Sequence, residues 1–141
     1  MKLTTKSRYG MNAMYELVTR YGQGPVPLKL IAEKQNIPEA FLEQLMNQLR
    51  RAELVTSIRG AQGGYTLSRK PEEISVGEVL YALEGSMAPV DCLTDTDSPC
   101  KNGGCAGRVL WGKIYAVIKD LVDHMTLAEL ADEYHSDKQE G

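Results

Sequence analysis

The sequence predicts a mainly α-helical protein with a small β-hairpin wing, in which a winged helix-turn-helix is followed by a long C-terminal dimerisation helix. Three observations carry this prediction. Two helical segments meet at a tight turn. A glycine-rich hairpin follows them directly, and this order of elements is that of a winged helix. Farther along the chain, apolar residues recur at intervals of four and three, the spacing by which one helix pairs with another.

The N-terminal part of the chain predicts three helices. Residues 5–22 carry apolar side chains at helical spacing, and the glycines and prolines that follow end this helix. A short helix over residues 28–35 ends at Asn36, a residue type that tolerates the left-handed conformation of a helix C-terminus. A third helix over residues 38–52 opens with a proline, whose missing N–H costs little at that position. The second and third helices form the helix-turn-helix.

The wing is predicted over residues 54–67. Residues 54–58 are rich in β-branched side chains, which favours a strand, and residues 65–67 form the returning strand. The turn between them, residues 59–64, contains three glycines, whose permissive backbone suits a tight connection. Arg59 therefore lies at the base of a small tip that can approach a ligand closely.

The second half of the chain predicts three more helices and one loop. A Ser-Val-Gly-Glu capping box starts a short helix over residues 75–83. An irregular loop over residues 85–104 separates it from a long helix over residues 107–125. A second capping box starts a last helix over residues 126–134, and we expect the polar tail beyond it to fray.

Charge is divided unevenly along the chain. Residues 1–70 hold 11 lysines and arginines against 5 acidic residues, a net of +6, whereas residues 71–141 hold 5 against 14, a net of −9. A basic half joined to an acidic half is typical of a DNA-contacting domain joined to a sensing or dimerising part. We therefore divide the chain into a winged DNA-binding domain (1–83), a cysteine-bearing loop (84–106) and a dimerisation helix with a C-terminal helix (107–135).

Several classes of protein are disfavoured. No stretch approaches the roughly 18 consecutive apolar residues of a membrane span, and the N-terminus lacks the apolar segment of a signal peptide. We therefore expect a cytoplasmic protein without a membrane partner. The two histidines, His124 and His135, have no acid–base constellation around them, which argues against an enzyme that uses a cysteine nucleophile.

Three cysteines, Cys92, Cys100 and Cys105, lie within 14 residues. In a reducing compartment this crowding indicates metal, cluster or redox chemistry rather than a disulfide framework. Glycines beside the third cysteine leave backbone N–H groups that could hydrogen-bond the sulfides of a cluster. Zinc is a competitor, but its cysteine ligands usually come in close pairs such as C-x₂-C, which are absent here. The spacing of the three cysteines therefore favours an iron–sulfur cluster over zinc, but only modestly.

Five segments of the chain resemble the family of bacterial winged-helix regulators that includes IscR, NsrR and CymR. They are the opening MKLTTKSRY, GPVPL over 24–28, FLEQL over 41–45, IRGAQGGY over 58–65 and SVGEV over 75–79. The resemblance extends to about residue 130. It implies a homodimer that binds double-stranded promoter DNA. In members with three loop cysteines it also implies a [2Fe–2S] cluster, through which the regulator senses iron–sulfur status or redox and nitric-oxide stress.

The resemblance also implies which residues contact DNA. Glu43 and Gln44 match the base-reading positions, where glutamine pairs with adenine and glutamate accepts from cytosine. Arg59 would enter the minor groove, because narrow A·T-rich grooves attract arginine. Two arginines at the end of the recognition helix suit phosphate contacts. The predicted DNA-binding residues are Glu43, Gln44, Arg50, Arg51, Arg59 and Gly60.

The fourth ligand of the cluster is left unassigned. IscR-type members use a histidine three residues after the third cysteine, and here that position is Arg108, a cation that does not ligate metals. NsrR-type members use an acidic residue near the N-terminus of the partner, and here that position is Arg8. The candidates for the fourth position are Asp91, Asp95, Asp97, His124 or a residue of the partner chain.

Two alternative functions stay open at this point. The first is a winged-helix module for protein interaction, stabilised by zinc at the cysteine loop. The second is a cluster-free regulator of cysteine or sulfur metabolism.

Overall fold

The computed structural model of the protein describes residues 3–90, 93 and 105–140. It contains six α-helices, a short 3₁₀ helix and one two-stranded antiparallel sheet within these residues. The elements in chain order are α1 (Thr5–Thr19), α2 (Leu28–Gln35), α3 (Glu39–Arg51), β1 (Val55–Ile58), β2 (Gly64–Leu67), the 3₁₀ helix (Pro71–Glu73), α4 (Val76–Glu84), α5 (Gly107–His124) and α6 (Leu127–Glu140).

The predicted fold class is confirmed, because the helix-turn-helix, the hairpin wing and the long α5 all form in the predicted order. Two boundaries were wrong. The first helix ends at Thr19 rather than at residue 22, and its last carbonyls accept from the backbone N–H groups of Arg20 and Tyr21. The last helix continues to Glu140 instead of fraying after residue 134. The division into three segments at 83/84 and 106/107 stays a prediction.

The turn between α2 and α3 forms as its sequence predicts. Asn36 adopts the left-handed conformation, with φ of 54° and ψ of 50°, and so ends α2. The backbone N–H of Ile37 then donates to the carbonyl of Ala32 at 2.9 Å. Pro38 precedes the first turn of α3. After this turn α3 packs against α2, and the polar face of α3 stays exposed.

The wing pairs β1 with β2, so that Val55 faces Leu67 and Ile58 faces Gly64. A backbone bridge adds Val26 to the outer side of β2, with two hydrogen bonds of 2.9 Å to Tyr65. Gly64 makes this approach possible. It has a φ of +153°, and a side chain there would overlap the backbone carbonyl of Val26. The wing is therefore fixed to the segment that joins α1 to α2.

The core gathers apolar side chains from both halves of the chain. Its largest fully buried members are Met14, Leu17, Ile31, Leu42, Leu45, Met46, Leu49, Ile74 and Leu127. Because Leu127 belongs to this core, α6 is anchored against α1. The ring of Tyr15 also meets that of Tyr134 edge-on, with centroids 4.9 Å apart. These contacts hold α6 against α1 as far as Tyr134. Among the described helices, none combines the length and apolar character needed to cross a bilayer.

Candidate nucleic-acid interface and cysteine loop

The exposed face of α3 carries polar side chains. Leu42, Leu45, Met46 and Leu49 anchor the opposite face in the core. Glu43, Gln44, Arg50 and Arg51 are exposed, and Asn47 is half-buried among them. A helix with one apolar and one polar face presents the polar residues at spacings of three and four. Glu43, Asn47 and Arg50 follow this spacing.

The wing tip presents Arg59 to solvent. This residue comes directly after β1, and both Arg59 and Gly60 are exposed. Gly60 has a φ of +115°, a conformation that favours glycine, and its carbonyl accepts from the N–H of Gly63 at 3.0 Å. A Cβ on Gly63 would overlap the carbonyl of Ile58. The turn next to Arg59 is therefore tight at its two glycines, and Ala61 and Gln62 lie between them.

A cleft of about 1060 Å³ separates α3 from the wing. Asn47 and Arg50 line it on the α3 side, and Ser57 and Arg59 on the wing side. Its lining includes three arginines and two glutamates: Arg50, Arg59, Arg69, Glu53 and Glu78. The cleft thus has a net positive charge, which suits an anionic ligand such as a phosphate backbone.

The predicted residues divide between two sides of α3. Arg50 and Arg59 share the cleft, whereas Gln44 and Arg51 line a second groove of about 230 Å³, to which α1 contributes Lys6. Asn47 lines both.

Asn47, Lys6 and Arg69 line these two grooves but were not among the residues predicted from the sequence. The helical spacing between Glu43 and Arg50 could have identified Asn47. Lys6 and Arg69 come from other elements and had no such signal.

Arg69 lies at the base of the wing and pairs with Glu78 of α4. Its Nη2 is 2.9 Å from Oε1 of Glu78, and its Nη1 donates to the carbonyl of Glu73 at 3.2 Å. The other carboxylate oxygen of Glu78 accepts from the N–H of Ser75 at 3.0 Å, which completes the predicted capping box of α4. One carboxylate therefore both caps α4 and holds an arginine of the cleft.

Of the cysteine loop, the structure describes residues 84–90, 93, 105 and 106. Cys92 and Cys100 lie outside the described residues. Cys105 is half-buried just before α5, and its carbonyl accepts from the backbone N–H of Arg108 at 3.2 Å. Within residues 3–90, 93 and 105–140, no group of three or more metal-ligating side chains comes together. His124 ends α5, 17 residues and about 26 Å from Gly107 at its start, so it does not reach Cys105 within one protomer. A thiol-rich donor set at the loop nonetheless fits the chemistry of an iron–sulfur cluster.

The near end of the loop is tied to the N-terminus of α1 through Glu84. Its carboxylate accepts from the backbone N–H of Thr4 at 2.6 Å, from the hydroxyl of Thr4 at 2.7 Å and from the hydroxyl of Ser7 at 2.8 Å. Burial raises the pKa of Glu84, but the hydrogen bonds from Thr4 and Ser7 outweigh it and hold that pKa below its ordinary value. Glu84 is thus ionised and links α4 to α1 immediately before the loop.

The sequence profile of a family described as "Rrf2: Iron-dependent Transcriptional regulator" matches residues 3–133. The chain belongs to the Rrf2 family of transcriptional regulators. This membership confirms the resemblance stated from the sequence and the prediction that the protein is a regulator rather than an enzyme.

Two named relatives of this Rrf2 regulator have similar identities to it. The regulator CymR of Bacillus subtilis is 44% identical over 140 residues, which cover 99% of this chain and 96% of CymR. The regulator IscR of Sodalis glossinidius is 41% identical over 131 residues, which cover 92% of this chain and 78% of IscR. Because the two identities are so similar, they do not decide whether this chain corresponds to CymR or to IscR.

Solved structures of a CymR and of an IscR also resemble this chain. The structure of CymR, described as the global cysteine regulator of B. subtilis, has a TM-score of 0.79 and 41% identity, and the match covers 94% of this chain and 98% of CymR. The structure of T. potens IscR has a TM-score of 0.76 and 40% identity, with coverages of 95% and 88%. This Rrf2 regulator therefore has the winged-helix fold that it shares with both.

Proposed function

We propose that this Rrf2 regulator acts in the cytoplasm as a homodimer that binds a palindromic double-stranded promoter site. The observation that carries the proposal is the shared cleft, with the polar face of α3 on one side and Arg59 on the other. One strand of a duplex separates each major groove from the neighbouring minor groove. A helix in the major groove and a wing tip in the minor groove must therefore straddle that strand. The cleft between α3 and the wing offers this arrangement.

Base reading is proposed for the polar face of α3. Gln44 can pair in two places with adenine, and Glu43 can accept from the amino group of cytosine. Asn47, which lies between Glu43 and Arg50 on the same face, adds a second side chain suited to adenine. Arg50 and Arg51 line different grooves beside α3, and each would contact a phosphate of a different flanking strand.

Minor-groove contact is proposed for the wing tip. Arg59 and Gly60 are exposed, and the tight glycine turn that follows Arg59 would let the arginine approach the bases. Narrow A·T-rich minor grooves carry enhanced negative potential and attract an arginine side chain. We therefore expect an A·T-rich step at the position that Arg59 reaches.

The dimer is proposed to form through α5. The apolar residues on its outer face are exposed, among them Val109 at 65%, Val117 at 70% and Leu121 at 61%. Leu110, Ile114, Val117 and Leu121 recur at spacings of four, three and four, the pattern of a helix that pairs with an identical helix. A twofold dimer of winged helices would place two α3 helices on the half-sites of a palindrome.

The signal is proposed to be read by a [2Fe–2S] cluster held by Cys92, Cys100 and Cys105. The iron-dependent description of the family, the identity to IscR and the three closely spaced cysteines support this assignment. Such a cluster supplies redox chemistry and sensitivity to oxygen and nitric oxide at the loop that follows α4. The fourth ligand would come from the loop or from the partner protomer.

A cluster-free regulator of cysteine metabolism is the second candidate. The 44% identity to CymR and the TM-score of 0.79 to its structure favour it. The two candidates share the DNA-binding surface and differ in what the cysteine loop holds.

DNA binding is tested with a duplex that the wild-type protein selects from a randomised library. We expect a palindromic site, binding that weakens steeply with salt, and a large loss of affinity in Arg59→Ala. Failure to select any duplex over a scrambled one would contradict the proposal. Light scattering on Val117→Asp tests the dimer, because a charge in a paired apolar stripe should give monomers.

The cluster is tested by the visible spectrum and by iron and sulfide analysis of protein purified without oxygen. Bound iron and sulfide that disappear in Cys92→Ala, in a protein with unchanged circular dichroism, support the cluster. A colourless protein that binds the selected duplex with full affinity supports the cysteine-metabolism regulator. One tightly bound zinc per chain would instead indicate a structural metal at the loop.

A further inference from the structure

Arg69 is a cleft residue that lies neither on the recognition helix nor at the wing tip. It follows β2 by two positions and lines the cleft between α3 and the wing. Its side chain and that of its partner Glu78 are each 40% exposed, so the pair can meet a ligand that enters the cleft.

The guanidinium of Arg69 is held in place before any ligand binds. Glu78 accepts from Nη2 and the carbonyl of Glu73 accepts from Nη1. Glu78 is itself fixed, because its second oxygen accepts from Ser75 while the hydroxyl of Ser75 accepts from the backbone N–H of Glu78. A guanidinium has five N–H donors, so these two contacts leave donors for a further acceptor. A side chain fixed in advance loses little entropy when it binds.

The position of the cleft indicates which group could accept from the remaining N–H donors of Arg69. If α3 occupies the major groove and Arg59 the adjacent minor groove, the strand between the two grooves passes over the cleft. The groups that this strand presents to the cleft are phosphates and sugars rather than base edges. Arginine matches phosphate geometry with paired N–H donors.

We propose that Arg69, positioned by Glu78, contacts a phosphate of the strand that crosses the cleft. This inference rests on the proposed DNA binding and adds a contact at the base of the wing. A merely structural role makes a different prediction. In that case Arg69 neutralises Glu78, which would otherwise face the DNA as an unpaired negative charge.

The experiment is a pair of single variants and their combination, Arg69→Ala, Glu78→Gln and Arg69→Ala/Glu78→Gln. Glutamine is also found in capping boxes, so Glu78→Gln is expected to keep α4 capped, which thermal unfolding checks. Lys70→Ala is the matched control, since Lys70 is exposed, carries the same charge and does not line the cleft. The probes are the duplex selected by the wild-type protein and a scrambled duplex, each titrated over a range of salt concentrations.

We expect Arg69→Ala to weaken binding to both duplexes by a similar factor and to reduce the salt slope by about one. The double variant should bind DNA as weakly as Arg69→Ala and show the same reduced salt slope, because removing the charge of Glu78 does not restore a phosphate contact. Full recovery of affinity and slope in the double variant would overturn the proposal, and so would equal losses in Arg69→Ala and Lys70→Ala. If the wild-type protein selects no duplex, the proposed function fails. If it selects one that Arg69→Ala binds normally, only this inference fails.

Discussion

Replacing Glu84 with alanine should destabilise the fold measurably, because its carboxylate joins two helices. It accepts three hydrogen bonds from the first turn of α1, two from Thr4 and one from the buried hydroxyl of Ser7. Hydrogen bonds to a charged group contribute about 1.5–3 kcal/mol each, and the exposed pair with Thr4 contributes less. A carboxylate at a helix N-terminus adds about 0.3–1 kcal/mol. We expect Glu84→Ala to lower the free energy of unfolding by about 2–3 kcal/mol.

The loss should depend on pH in a defined direction. The pKa of Glu84 is lower in the folded protein than its ordinary value of 4.5. A carboxyl group of this kind contributes stability that is fully present above the unfolded pKa and is lost as the pH falls through the folded pKa. The difference between wild type and Glu84→Ala should therefore be constant near neutral pH and shrink below about pH 4.5.

Urea unfolding followed by circular dichroism measures this difference, with the midpoint compared at equal slope. Glu84→Gln is the matched control, since the amide keeps the shape and one acceptor but carries no charge. It should be intermediate in stability at pH 7 and show little of the pH dependence. A difference for Glu84→Ala below about 0.5 kcal/mol at pH 7, or one that persists unchanged in acid, would refute the reasoning.

Two glycines give further predictions that thermal unfolding can check. Gly64→Ala should lower the melting temperature and weaken DNA binding, because the added Cβ overlaps the carbonyl of Val26 and the φ of +153° is strained for alanine; an unchanged melting temperature would contradict the role given to Gly64. Gly10→Ala should lower the free energy of unfolding by about 1–3 kcal/mol, because the added Cβ overlaps the side chain of Leu83. Gly112→Ala is the control, because nothing lies within 4 Å of its added Cβ and alanine favours a helix.

Local features of the fold could be predicted from the sequence. The spacing of apolar residues predicted the helices, Asn36 predicted the end of α2, and the capping box predicted the start of α4. Each of these signals lies within a few residues of the structure that it specifies. The pairing of Val26 with Tyr65 and the contact of Glu84 with Thr4 join residues 39 and 80 positions apart. No local pattern encodes such contacts, since they depend on how the helices pack.

At the candidate site too, the sequence does not predict which groove beside α3 each side chain lines. Successive residues of a helix are rotated by about 100°, so Arg50 and Arg51 point in clearly different directions. The sequence placed both at the helix end as phosphate contacts, but only the structure assigns Arg50 to the cleft and Arg51 to the groove with Lys6. The same packing brings Arg69 from beyond β2 into the lining of that cleft.

Helix α4 connects the features that bear on function. Near its start, Glu78 holds Arg69 in the cleft, and at its end Glu84 holds the first turn of α1. That first turn carries Lys6 into the groove on the other side of α3. The cysteine loop begins directly after Glu84. Because α4 contacts both Arg69 and the first turn of α1, a displacement of α4 would alter residues that line both grooves beside α3.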